Sequence, residues 1–244
     1  GSHKANMVYG RIARRLRQTG YRNFADYLAY LKDNFRDEST NFINLITTNL
    51  TSFYREPHHF DFLRDTVIPE LKKKSDKKVR IWSSGCSIGQ EAYTIAFTLA
   101  EAHLASSFDV KILATDLDSN VVSTGAEGIY PADSLMSVPD DTVERFFEKN
   151  RAGNQVRVKK SMRDLVHFKR LNLLEGWPMK GKFDVIFCRN VVIYFNRETQ
   201  KTLFNRYADY LPVGGYLIIG HSESLNGLTD RFKSVGNTIY QKIY

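Results

Sequence analysis

Three polar clusters in this chain stand directly behind apolar runs, where side chains are well placed to do chemistry. "FDVIFCRNVVIYF" sets Arg189 and Asn190 between two strongly apolar stretches, with Tyr194 just beyond. A guanidinium and an amide in that company must find partners, because burying either one unpaired is costly. Tyr194 adds a π face that can lie against a cation, or it packs with its hydroxyl bonded. "ATDLD" ends a second run on Asp116. A carboxylate there can accept ribose hydroxyls. The alternative is a helix cap, a role Asp118 or Ser119 could fill instead. "RIWSSGCSIGQEAYTIAF" breaks a third run at Gly85 and Gly89 and then turns helical at Gln90. The glycines permit positive φ and close backbone approach. The spacing is not G-x-G-x-x-G, so a nicotinamide dehydrogenase is disfavoured. A Gly-rich turn followed by a ribose-type acid points to an adenosine cofactor.

The elements that must position these residues are legible from periodicity. From Val79 onward, strand patterns alternate with helix patterns. "VRIW", "DVKILATDLD", "QVRVKK", "LVHFKRLNLL", "FDVIFCRN", "GGYLIIGHSE" and "TIYQKIY" read as strands. "GQEAYTIAFTLAEAHL", "SNVVSTGAEGIY", "DTVERFFEKN" and "RETQKTLFNRYADYL" read as helices. The expected fold is α/β, a doubly wound and mostly parallel sheet with ligands at the strand carboxyl ends. Residues 5 to 48 read as short helices, with Asn23 as an N-cap, and form a small helical domain. Between them, "TTNLTSFYREPHHFDFLRDTVIPELKKK" reads as a connection between two bodies, with a helix from about His58 to Val67 behind Pro57.

Charge and cysteine content narrow the class. The chain has 244 residues and a formal charge of +8. From Lys4 to Arg22 there are six basic residues and no acidic one. That run calls for an acidic partner, nucleic acid or acidic protein, or else is a solvated face. "KKKSDKK" from Lys72 reads as a solvated turn. Cys86 and Cys188 follow apolar runs and read as free thiols in a reducing cytoplasm. His58 and His59 lack companions at ligand spacing, so no metal is expected. No apolar run reaches the ~18 residues of a membrane helix, and no signal peptide is visible. The opening "GSH" reads as a tag remnant.

Five motifs in order and spacing resemble the CheR family of chemotaxis receptor methyltransferases. They are "TTNLTSFYRE" with "HHF", "GCSIGQEAYTIA", "ATDLD", "FDVIFCRNVVIYF" and "GGYLIIGHSESL". The resemblance runs from about Met7 to Tyr244. It implies a class I methyltransferase using S-adenosylmethionine (SAM), with S-adenosylhomocysteine (SAH) as product. It implies residues 1–70 as helical domain and linker and 71–244 as the SAM-binding domain. It also implies an antiparallel β-subdomain inserted at about 132–168. In some members that subdomain binds a receptor's C-terminal peptide; here the loop "KNRAGNQ" is short for such tethering. Carried over, Asn49, Thr51 and Arg55 reach the cofactor, Glu91 meets its methionine end and Asp116 its ribose. Asn172 and Leu173 flank the adenine, Arg189 and Asn190 line the floor, and Tyr194 lies beside the transferring methyl. Family members often carry a second acid where this chain has Gln90. The implied substrates are glutamates on the cytoplasmic helical bundle of bacterial chemoreceptors, reached by a monomer recruited to membrane arrays.

The chemistry fits this reading. A glutamate carboxylate is ionised at neutral pH and needs no general base to attack a sulfonium methyl. What the enzyme must supply is alignment and exclusion of water. Arg55 is the candidate to meet the incoming carboxylate, or alternatively that of the cofactor. Arg11, Arg14, Arg15 and Arg17 are the candidates to dock on an acidic substrate helix. An RNA methyltransferase would want aromatic platforms in a basic groove. The best pair, Phe53 and Tyr54, lies in the segment the resemblance gives to the cofactor. A non-catalytic SAM-sensing module is the other alternative.

Overall fold

The computed structural model describes residues 2–244. Three helices come first: α1 (Ser2–Thr19), α2 (Phe24–Asp33) and α3 (Phe35–Ile46). Asn23 caps α2, its side chain accepting the Asp26 N–H at 2.9 Å. Arg15 on α1 donates twice to Glu38 on α3, at 2.7 and 2.6 Å. The Tyr27 hydroxyl of α2 donates to the same carboxylate at 2.7 Å. One buried acid thus ties all three helices together.

The segment that follows is more than a connection. Helix α4 (His58–Phe62) runs through a π turn (Leu63–Val67) into α5 (Ile68–Leu71). Phe53, Phe60, Leu63, Val67, Ile68 and Leu71 are buried in the main core. The reading of this stretch as lying outside the core is therefore corrected. Apolar residues at intervals of three and four give it a face to bury. Pro69 follows the π turn and has no N–H to donate. The Ile68 N–H reaches back five residues to the Leu63 carbonyl.

The α/β unit contains β1 (Lys78–Ser84), α6 (Gln90–Glu101), β2 (Asp109–Asp116), α7 (Ser119–Glu127), β3 (Ile129–Pro131) and α8 (Asp140–Phe146). It continues through β4 (Phe147–Lys149), β5 (Gln155–Val158), α9 (Lys160–Arg163), β6 (Val166–Arg170) and β7 (Val185–Cys188). Helix α10 (Arg197–Asp209) and strands β8 (Tyr216–Ile219), β9 (Phe232–Gly236) and β10 (Ile239–Lys242) close it. The seven-stranded sheet has the order β6-β2-β1-β7-β8-β10-β9. Its first five strands are parallel, and β10 runs antiparallel to both its neighbours, β8 and β9. The chain winds outward from β1 through β2 to β6, then returns to β7 on the other side of β1. That reversal opens a crevice at the strand carboxyl ends. Strands β7 and β8 are buried along their whole length, as continuous apolar runs require.

The antiparallel insertion is present as the sheet β3-β5-β4. It begins at Ile129, slightly earlier than expected. Ile129–Tyr130 and Phe147–Lys149 are strand where the sequence reads as helix. Gly128, at φ +64, ends α7 before them, and Phe147 turns extended at φ −121. Strand β9 was not anticipated. Only Phe232 in it is buried, so it carries no alternating pattern. Cys86 and Cys188 are buried free thiols, and burial raises both well above the ordinary thiol range.

Candidate active site

A cavity of about 480 Å³ opens at the carboxyl ends of β1, β2 and β7. Asn49, Thr51, Arg55, Glu91, Asp116, Asn172, Leu173, Arg189, Asn190 and Tyr194 all line it. These residues come from five separate stretches of chain. Met7 and Val8 of α1 also face it, so the helical unit helps to close the cavity.

The turn after β1 shapes one side. Gly85 and Gly89 have φ of +83 and +91. A Cβ on Gly85 would lie 2.3 Å from Val191, and one on Gly89 would lie 2.7 Å from Phe168. The glycines therefore let the turn press against its own protein neighbours. Asp116 holds that turn: it accepts the Ser87 N–H at 2.8 Å and the Asp118 N–H at 3.1 Å. Each oxygen keeps a lone pair for a ligand. Burial raises the Asp116 carboxyl above its usual value, and the backbone N–H bonds offset this only in part. Asp118, not Asp116, caps α7 through the Asn120 N–H. Asp118 also accepts from Thr47 at 2.7 Å and from Asn49 at 2.8 Å. Asn49 thus bridges the linker to β2, and its carbonyl accepts the Ser87 hydroxyl at 2.8 Å.

The floor is a chain of charges. Glu91 accepts from Ser83 Oγ at 2.6 Å and from Arg189 Nη1 at 3.2 Å. Burial raises the Glu91 carboxyl despite the Arg189 charge beside it. Arg189 also donates to the Arg55 carbonyl and lies 3.5 Å from Glu56. Its face sits over Phe60, 5.6 Å from the ring centre. Its Nε is buried without a partner among the described residues.

Glu56 was not singled out from the sequence. Its carboxylate meets His221 at 3.0 Å and lies 3.6 Å from His59. Burial pushes this acid up, but the His221 hydrogen bond and the Arg189 charge outweigh it and hold the acid low. His59 is fully buried and is driven down to about 4, chiefly by that burial and then by Arg189. Glu56, His58 and His59 form one group with ligand atoms all within 4.8 Å, but its carboxylate already serves Arg189 and His221.

The rim carries the groups that face outward. Arg55 is half-buried and donates to the Leu50 carbonyl at 2.9 Å. Tyr194 ends a short 3-10 turn (Val192–Tyr194) and is 54% exposed at the mouth. Asn172 donates to Glu175 and accepts the Leu174 N–H, while Leu173 packs on the second apolar core.

The four arginines of α1 divide. Arg14 and Arg17 are exposed. Arg11 turns inward onto the carbonyls of Leu45 and Thr47, and Arg15 is committed to Glu38. Helical spacing puts these arginines mainly on faces away from the apolar stripe, but α3 and the residue that caps it supply partners for two. Arg11 and Arg15 act as internal ties, which leaves Arg14 and Arg17 as the exposed pair.

The residues fit an adenosine joined to an amino acid. Asp116 offers acceptors at the second strand end, Leu117, Leu171 and Leu173 give an apolar wall, and Glu91 offers a carboxylate near the orphan Arg189 Nε. The strand order with its antiparallel final pair, joined to this site, defines a class I SAM-dependent methyltransferase. Comparison with known proteins is specific. The model for "CheR methyltransferase, SAM binding domain" matches residues 49–241, and that for "CheR methyltransferase, all-alpha domain" matches residues 1–47. The chain belongs to the CheR methyltransferase family. It is 42% identical over 242 residues to "Chemotaxis protein methyltransferase 2" of Pseudomonas aeruginosa, covering 97% of this chain and 85% of the relative. It is 40% identical over 237 residues to a chemotaxis protein methyltransferase of Borreliella burgdorferi, covering 92% and 82%. The Escherichia coli protein of that name is 38% identical over 242 residues, covering 98% and 83%.

Proposed function

We propose that this protein methylates glutamate side chains on the cytoplasmic helical bundle of a chemoreceptor, forming methyl esters. The observation that carries the reading is the meeting, around one cavity, of acidic groups deep inside and a cationic and aromatic rim at its mouth. Bound SAM supplies an activated methyl group. Asp116 would hold its ribose, Glu91 its amino group, and Asn172 and Leu173 its adenine. Arg55 stands at the mouth, where a carboxylate leaving water needs a counter-charge. Tyr194 lines the same cavity and is 54% exposed. Neither residue need move a proton, because the acceptor carboxylate arrives ionised. Their work is alignment and the exclusion of water.

The relatives named for chemotaxis support a receptor as acceptor. The exposed Arg14 and Arg17 would meet its acidic helix face. We place the protein in the bacterial cytoplasm, at receptor arrays. Among the described residues no helix is long and apolar enough to cross a membrane. The experiment is tritiated-methyl SAM with receptor-containing membranes, followed by mild base. Receptor-dependent counts released as methanol support a carboxyl methyl ester. Base-stable counts would point to nucleic acid or amine, and tight SAM binding without counts to a sensing module.

A further inference from the structure

Glu223 lies outside the cavity but is bonded to the turn that lines one side of it. Glu223 is 6% exposed, and its carboxylate accepts four backbone N–H groups. Oε1 takes Val191 and Val192, both at 2.9 Å. Oε2 takes Asn190 at 3.0 Å and Gly220 at 2.6 Å. That fills the four acceptor sites of a carboxylate. No ion pair involves Glu223 among the described residues. Its hydrogen bonds go wholly to the turn after β7 and to the end of β8.

The turn needs this anchor. Val191 stands at the start of the 3-10 turn and makes no side-chain cap bond. Its first N–H groups would otherwise be orphaned in a buried place. Asn190 also sits at φ +59, a conformation unfavourable for a residue with a Cβ. Gly220 leaves room for it: a Cβ there would lie 2.7 Å from Asn190 Nδ2. Of this turn, Asn190, Val191 and Tyr194 line the cavity, and Asn190 and Tyr194 bring it polar groups.

We propose that Glu223 is a positioning residue for methyl transfer, setting the turn at 190–194 so that Asn190 and Tyr194 face the cofactor and the acceptor. A carboxylate suits this role better than an amide. Glutamine can accept at one end only, and its NH₂ would face two N–H donors. The acceptor half of the statement rests on the function proposed above, whereas the cofactor half does not.

The test uses the full chain with Glu223→Gln and, separately, Gly220→Ala. The second variant presses on the same turn without touching the carboxylate. Two readouts are taken from folded protein: SAH affinity by calorimetry without receptor, and kcat against KM with receptor. Both variants are expected to weaken SAH binding at least ~10-fold, the scale of a hydrogen bond lost from a fixed site. They are also expected to lower kcat at saturating substrates by more than they change the receptor KM. The kcat loss from Glu223→Gln should shrink when Tyr194→Phe is already present, as coupled residues require. Wild-type SAH affinity together with wild-type kcat in either variant, with only the melting temperature lowered, would overturn the proposal. Should the wild type not methylate receptor at all, weakened SAH binding in both variants still supports the positioning role while the receptor reading falls.

Discussion

Arg189 Nη1 and Glu91 Oε2 face each other 3.2 Å apart on the cavity floor, with the Glu91 carboxyl raised rather than lowered. Burial therefore outweighs the attraction of the neighbouring guanidinium. The sign of the consequence follows. A raised acid contributes stability below its unfolded value near 4.5, and that contribution is lost as pH rises through its folded value. Ionised Glu91 is thus a cost to the ligand-free protein. The melting temperature of Glu91→Gln should therefore move upward relative to wild type as pH rises from 5 to 8, whatever the offset left by taking a partner from Arg189. The same variant should bind SAH roughly 10- to 100-fold more weakly, because a charge-assisted hydrogen bond to the amino group is gone. Calorimetry across that pH range reads both effects. A variant with unchanged SAH affinity would remove Glu91 from the cofactor site.

Glu38 shows the opposite shift. Arg15 chiefly holds it at about 2, against a burial effect that acts the other way, with Tyr27 and Asn41 assisting. A lowered acid gives stability above the unfolded value of about 4.5 and loses it as pH falls toward about 2. Glu38→Ala should cost about 3 kcal/mol at neutral pH, because it strands Arg15 beside a buried hydroxyl. The difference from wild type should shrink steadily as pH falls below 4.5. Urea unfolding at several pH values tests this, and a difference independent of pH would mean the ion pair is not its source.

Sequence pattern goes far toward this site because strand ends are readable. Asp116, Arg189 and Asn190 each break an apolar run, and a parallel sheet brings such breaks to one edge. The Asn23 cap is equally local. What the pattern cannot carry is a partner far along the chain. Glu223 reaches back to backbone N–H groups around residue 190, and backbone leaves no mark in the sequence. Glu56 meets His221 from the other end of the chain. The same limit hides the Arg15 tie, since periodicity on α1 cannot see Glu38 on α3. Strand β9 stays hidden because one buried residue makes no period.

Arg55 stands at the rim, and among the described residues its side chain bonds the Leu50 carbonyl alone. Its guanidinium keeps donors for a carboxylate. Arg55→Ala is expected to lower turnover at least ~100-fold, about 2.7 kcal/mol of barrier. Single-turnover rates at saturating SAM separate this from weakened cofactor binding. Near-normal turnover would leave the carboxylate to be met by another group.

Arg14 and Arg17 give the last prediction, which differs from that for their neighbours. Both are exposed on α1, whereas Arg15 is spent on Glu38 and Arg11 on backbone carbonyls. Reversing the exposed pair to glutamate should leave the fold intact, since surface charges contribute little to stability. It should raise the receptor KM steeply, because an acidic helix would now meet like charge. The salt dependence of KM should weaken or reverse as well, since added salt now screens a repulsion rather than an attraction. SAH affinity should stay at the wild-type level, as neither residue lines the cavity. Steady-state kinetics on receptor membranes at two ionic strengths gives all of these. An unchanged KM would return this helix face to simple solvation and move receptor recognition elsewhere on the molecule.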